Sequence, residues 1–185
     1  MSSSQKGFTL IEMIIVIVAV GIIGSMAATM LFQGADIFVK ETNRQGFVSE
    51  ARSAFWRLMR ETQGQSSSAD FILSDQNSLY VKNGKGDLKD FQTSSPDYFN
   101  FRLGTGSYNS LSNSLGYTQS NGFTFYNNSF NVVSPSSGGL TATQAKTVHL
   151  SKLDLTFIND TDILSLSSFV YPHNFRFGIK MSYHD

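Results

Sequence analysis

The chain has 185 residues, enough for one modest domain and one long helix. Fourteen basic and fourteen acidic side chains cancel, which argues against a nucleic-acid partner, since that requires a basic face. There is no cysteine, so disulfide staples and thiol chemistry are excluded. Only 15% of residues are charged and 13% are aromatic, with Ser, Asn, Gly and Thr abundant, which suits a β-rich exported domain better than a cytosolic enzyme.

In chain order, a short polar leader, Met1–Gly7, ends in Lys6-Gly7 and is followed by Phe8-Thr9-Leu10-Ile11-Glu12. The run Met13–Phe32 is apolar throughout, and no charge interrupts Met13–Ala35. From Phe8 to Phe32 the segment has 25 residues. As a helix these span about 37 Å, enough for a hydrocarbon core of roughly 30 Å. Three readings fit such a run: a plain single-pass anchor, a cleaved secretory signal ending near Ser25-Met26-Ala27, or a helix that uses the acid at its head. Glu12 counts against the first two. An acidic residue near the middle of a membrane helix costs roughly 2.5–3.5 kcal/mol, so a chain that keeps one beside its apolar run needs it for a positive partner. Lys6 before the run and Lys40, Arg44 and Arg52 after it leave the orientation open on charge counting alone.

The leader, the Gly7-Phe8 junction and the acid five residues beyond it together resemble the class III signal of type IV prepilins and pseudopilins. The resemblance implies a prepilin peptidase that cuts after Gly7 and N-methylates the new terminus at Phe8. It also implies that Glu12 pairs with the terminal amine of a neighbouring subunit, with the head on the periplasmic or outer side of the inner membrane. Gly21, Gly24 and Ala28 offer a small face on which neighbouring helices could pack closely, although glycine is also common in membrane helices generally. Many major pilins carry a proline where this chain has Thr29.

From Asp36 to Thr62 the pattern becomes amphipathic. Val48, Ala51, Phe55, Leu58 and Met59 recur at spacings of three and four, with Ile37 and Phe38 starting the same face. A continuous helix Phe8–Thr62 would be about 80 Å long, ended by Gly64 and Ser66–Ser68. Ser49–Glu61 resembles the helix of J/W-type pseudopilins and minor pilins, and of the O-type component of mannose-sensitive-haemagglutinin pili, often written ARxAxxRLxREL. Trp56 and Thr62 depart from it.

After Gly64 the period changes to two. Phe175–Tyr183 alternates strictly, as do Val148 with Leu150 and then Leu153, Leu155 and Phe157. Tyr98–Leu103, Phe123–Tyr126 and Phe130–Val133 read as strands, the last two joined by a turn at Asn127-Asn128. Asp75–Ser78 separates Phe71–Leu73 from Leu79–Lys82, and Gly104–Gly122 and Ser134–Thr143 read as long loops. The expected class is α+β: a long N-terminal helix packed against an antiparallel β-sheet head. The expected segments are a leader at 1–7, a transmembrane or filament-core helix at 8–33, an amphipathic half at 34–63 and a β-rich head at 64–185.

Catalytic chemistry finds little support. His149, His173 and His184 are scattered, no serine sits in a nucleophile elbow, and Gly104-Thr105-Gly106 is too short to cradle a phosphate. Asp160 and Asp162 could offer oxygens to a structural calcium, but a polar turn between Phe157 and Ile163 is favoured because the ligand spacing of a calcium loop is lacking. Tyr108, Tyr117 and Tyr126 are candidates for a partner surface or for ordinary packing. No enzyme and no cofactor are expected. The expectation is a minor pilin or pseudopilin that initiates or caps a type IV pilus or a type II secretion pseudopilus. By resemblance its partners are other minor and major pilins, the prepilin peptidase, the inner-membrane assembly platform and, before assembly, membrane lipids. The alternative is a membrane-anchored or secreted, adhesin-like binding module.

Overall fold

The computed structural model describes residues 7–95, 97–116 and 122–172. Helix α1 runs Leu10–Gln63. It divides between two compact units, with residues up to Gln45 in the first and Gly46 onward in the second. The helix begins two residues later than the apolar pattern suggests because Thr9 caps it. In the second unit α1 buries Phe47, Ala51, Ala54, Phe55, Leu58 and Thr62, while Val48 and Met59 are half-buried. Ile37 and Phe38, expected on the same face, are instead exposed in the first unit.

After a short 3₁₀ turn, Ser68–Phe71, eight strands among the described residues form one antiparallel sheet: β1 Ser78–Lys82, β2 Leu88–Ser95, β3 Asp97–Leu103, β4 Asn109–Leu115, β5 Phe123–Tyr126, β6 Val132–Val133, β7 Leu150–Asn159 and β8 Asp162–Val170. A short helix, α2 Ala142–Thr147, precedes β7. The spatial order is β1-β2-β3-β4-β7-β5-β6, and β8 also pairs with β7. The α+β class is therefore as the sequence indicates. Two well-paired leaves, β1–β4 and β5–β8, meet at a seam where a single residue pair, Leu115 with Phe157, joins β4 to β7. The Gly116 N–H adds one hydrogen bond there, to the Thr156 carbonyl at 2.7 Å.

The core lies between the second half of α1 and one face of the sheet. Leu79, Val81, Phe91, Phe99, Phe123, Phe125, Leu153, Leu155 and Phe157 are buried in it. Phe91 packs on Phe99 and Phe101 with ring centroids 5.9 and 5.1 Å apart. Polar anchors tie α1 to both leaves. Glu50 accepts from the Asn113 N–H of β4 at 3.1 Å, Glu61 pairs with Lys89 of β2, and Arg57 lies 4.0 Å over the ring of Phe101 in β3. On the other leaf, the Ser168 hydroxyl of β8 meets the Met59 sulfur at 3.7 Å.

Several local expectations need correction. Phe71–Leu73 forms no strand: Ser67 caps the 3₁₀ turn and Leu73 turns left-handed at φ 70°. The expected strand Phe130–Val133 shrinks to two residues, because Phe130 adopts φ 62° in a wider turn. In that turn the Asn127 side-chain oxygen accepts from the N–H groups of Ser129 and Asn131, both at 2.9 Å. The loop at 104–122 contains β4, and the loop at 134–143 contains the start of α2. The segment Phe175–Tyr183 lies outside the described residues.

Gly139 is a tight backbone crossing in the head. It sits at φ +91°, and a Cβ there would lie 2.3 Å from the Leu73 carbonyl oxygen. Just beside it, the Leu73 N–H donates to the Leu140 carbonyl at 2.9 Å. Gly139→Ala therefore forces both a left-handed alanine and a shift of backbone. The expected loss is about 2 kcal/mol, read as a lowered denaturation midpoint with an unchanged slope. A midpoint equal to wild type would show that the crossing is not this tight.

Candidate functional site

The N-terminal residues form a compact piece of helix-start geometry. Thr9 precedes the first helical residue, and its N–H and its hydroxyl both donate to Glu12 Oε2 at 2.8 Å. The Glu12 N–H returns a 3.4 Å bond to the Thr9 hydroxyl oxygen. This is a capping box, Thr-x-x-Glu, which satisfies donors that a helix start otherwise leaves orphaned. The spacing is legible in the sequence, and Thr9 is the residue that reading Glu12 alone overlooks. Glu12 spends one oxygen on Thr9; its other oxygen, Oε1, makes no bond among the described residues. A carboxylate held in this way has a fixed direction and one acceptor still available to a donor from outside the chain.

Gly7 and Phe8 lie just before this cap. Phe8 is 83% exposed, and Gly7 has open space where a Cβ would stand. The junction between them is thus sterically open. Beyond Glu12 the helix is apolar and bare, with Met13–Phe32 exposed along its length. Its polar side chains turn inward onto their own helix: the Ser25 hydroxyl donates to the Ile22 carbonyl at 2.8 Å, and the Thr29 hydroxyl to the Ser25 carbonyl at 2.9 Å. Such back-bonding hides hydroxyls from a medium that cannot hydrogen-bond. Gly21 and Gly24 have nothing within 4 Å of a would-be Cβ, and Ala28 is exposed beside them. α1 is long and apolar enough to cross a membrane.

Residues 2–28 match the prokaryotic N-terminal methylation motif. The chain carries the type IV pilin-like prepilin signal. The motif points to a pilin-like or pseudopilin-like structural subunit, processed by a prepilin peptidase and assembled with other pilins. With the apolar helix it is consistent with a protein anchored in the membrane by a single span. No curated protein and no solved structure matches the chain.

The other candidate residues are not brought together. Asp160 sits within the tight turn between β7 and β8 at φ 51°, and Asp162 opens β8, facing Asn159 across the hairpin. Among the described residues no group of three or more His, Cys, Asp or Glu could hold a metal. His149 meets the edge of the Tyr171 ring at 5.6 Å, while His173, His184 and Tyr117 lie outside the described residues. Tyr126 joins Phe130 and Phe169 in an outward ring cluster, with centroids 5.6 to 6.1 Å apart.

Tyr108 belongs to a different arrangement, one that the sequence does not reveal. Asp90, fully buried, accepts from Arg102 at 2.6 Å and from the Tyr108 hydroxyl. Arg102 in turn lies 4.4 Å over the Tyr108 ring. Burial first, then the bond to Asp90, pushes the Tyr108 pKa up. Burial and the nearby Asp90 carboxylate do the same, less strongly, for Tyr80. Asp90 Oδ1 and Arg102 Nε are buried without a hydrogen bond among the described residues. Cross-strand pairing places Tyr80, Asp90 and Arg102 side by side on β1, β2 and β3, on the face away from Phe91 and α1. This is a structural clasp over the β3–β4 turn.

Proposed function

We propose that the chain is a minor pilin or pseudopilin, a subunit that initiates or caps a type IV pilus or a secretion pseudopilus. The observation that carries this reading is Glu12: an acid heading a 20-residue apolar run, with one carboxylate oxygen tied to Thr9 and the other without a hydrogen bond among the described residues. Cleavage after Gly7 bares an ammonium on Phe8. Across a subunit contact, that cation from one protomer meets Glu12 of another. In a low-dielectric helix bundle such a pair is strongly favoured over either charge alone. The leader, residues 1–7, is removed; residues 8–33 become the filament core, packed through Gly21, Gly24 and Ala28; residues 34–63 carry the β-rich head, 64–185. Residues Ser49–Glu61, with their likeness to J/W-type helices, support a minor rather than a major role. The partners are other minor and major pilins, the peptidase and the inner-membrane platform, and the head lies on the periplasmic or outer side.

Mass-spectrometric sequencing of the mature N-terminus tests this. The expected species begins with N-methyl-Phe8, and Gly7→Val abolishes its formation, since a β-branched side chain then occupies the cleaved junction. An intact Met1 would leave a plain anchor. A terminus at Ala28 or Thr29 would leave an exported binding module, the reading that the outward Tyr126–Phe130–Phe169 cluster favours.

A further inference from the structure

Beyond the N-terminal site, α1 presents a second surface that meets no partner among the described residues. In the second unit the buried residues Ala51, Ala54, Phe55 and Leu58 define one side of the helix. At 100° per residue, Trp56 falls on the opposite side, with Arg52 one turn before it and Arg60 one turn after. Trp56 is 65% exposed, and Arg52, Arg60 and the small residues Ser49 and Ser53 are exposed around it. Neither Arg52, Trp56 nor Arg60 has a hydrogen bond, ion pair or ring contact among the described residues.

The contrast with the rest of this helix segment is informative. Both of its acids are engaged by the sheet, Glu50 by the Asn113 N–H and Glu61 by Lys89, and Arg57 is stacked on Phe101. Arg52 and Arg60 have no carboxylate three or four positions away in either direction to neutralise them within the helix. Two uncompensated guanidinium groups thus flank the only tryptophan of the chain, about 12 Å apart along the axis. Arg and Trp are the residue types most enriched at energetic centres of protein interfaces. A serine at each of positions 49 and 53 leaves room beside the indole for a second backbone to come close.

We infer that Arg52, Trp56 and Arg60 form a docking stripe for a helix of a different pilin-like subunit, one that presents two carboxylates about two turns apart with an apolar side chain between them. Charge complementarity selects this occupant. A phospholipid surface is met by several basic residues immediately after a span, whereas Arg52 lies 20 residues past Phe32. The inference rests on the filament reading above and adds to it a lateral contact with a stated chemistry.

The test places the photo-crosslinker p-benzoyl-phenylalanine at position 56 of the full chain, in the native host, and maps the adduct by mass spectrometry. The expected adduct lies on the helix of another pilin-like subunit, between two acidic residues. Arg52→Glu with Arg60→Glu lowers its yield by about tenfold, the effect of roughly 1.4 kcal/mol of charge pairing, and reversing the two partner carboxylates to lysine restores it. No adduct, an adduct only with lipid, with this chain itself or with a protein of any other kind, or a yield indifferent to charge reversal, each overturns the inference. N-terminal sequencing of the same sample separates the two failures. A mature Phe8 terminus without the adduct removes only this stripe, and an intact Met1 removes the filament reading.

Discussion

A Glu12→Ala subunit is expected to be cleaved and methylated like wild type and then to be missing from sheared filaments, with recovery reduced at least about tenfold, the equivalent of roughly 1.4 kcal/mol. The defect cannot arise at membrane insertion, because removing an acid from an apolar helix makes insertion easier, by as much as roughly 2.5–3.5 kcal/mol near mid-membrane. On the proposed pairing, what is lost is the anion that would neutralise the ammonium of the next subunit and set the axial register. Glu12→Gln refines the test. A glutamine can still serve the capping box with Thr9, so it preserves the helix start and removes only the charge. If the glutamine subunit enters filaments as well as wild type, the carboxylate acts as a cap and not as a counter-ion, and the proposed pairing is wrong. Immunoblots of sheared and membrane fractions, quantified side by side, give the readout.

The second large effect is expected in the head. Arg102→Met leaves the Asp90 carboxylate fully buried with only the Tyr108 hydroxyl to answer it. Breaking one half of such a pair costs about 3–5 kcal/mol. For a head of this size that lowers the melting temperature by about 10 °C, measured on the full chain in detergent by near-ultraviolet circular dichroism. Replacing both partners, Asp90→Leu with Arg102→Met, is expected to recover most of the loss, since an apolar pair of similar volume avoids the desolvation of an unanswered charge. A single mutant as stable as wild type would mean that water reaches Asp90. The same clasp gives the head an alkaline limit. Tyr108 and Tyr80 hold their protons more tightly in the fold than at their ordinary value of 10.0. Folding therefore keeps this contribution below pH 10 and loses it as pH rises beyond, where the unfolded chain releases the protons first.

How much of this is legible in sequence depends on how strongly each element signals its period. The apolar run, Glu12 and the buried stripe of α1 are plain because composition and a spacing of three and four dominate there. β1, β3, β5 and β7 carry alternating large apolar residues, and each forms. β2 and β4 are hidden because their burial is partly polar: Asp90, Thr93 and Ser112 are buried where a pattern search expects valine or leucine, and the β3–β4 register slips twice. Asp90 carries no sequence signal of its own, because its partners Arg102 and Tyr108 are brought to it from 12 and 18 residues away. The short α2 is announced only by its own cap, Thr141 with Gln144. Thr9 was within reach by the same rule, since Thr-x-x-Glu opens α1 as Thr-x-x-Gln opens α2.

The narrow join between the two leaves of the sheet has a mechanical meaning. One residue pair and one neighbouring backbone bond are all that join β4 to β7 among the described residues. Yet Glu50, Arg57 and Glu61 fasten α1 to one leaf, and Met59 touches the other. A pull transmitted through this stretch of helix is shared between both leaves in parallel, so the thin join is not asked to bear tension.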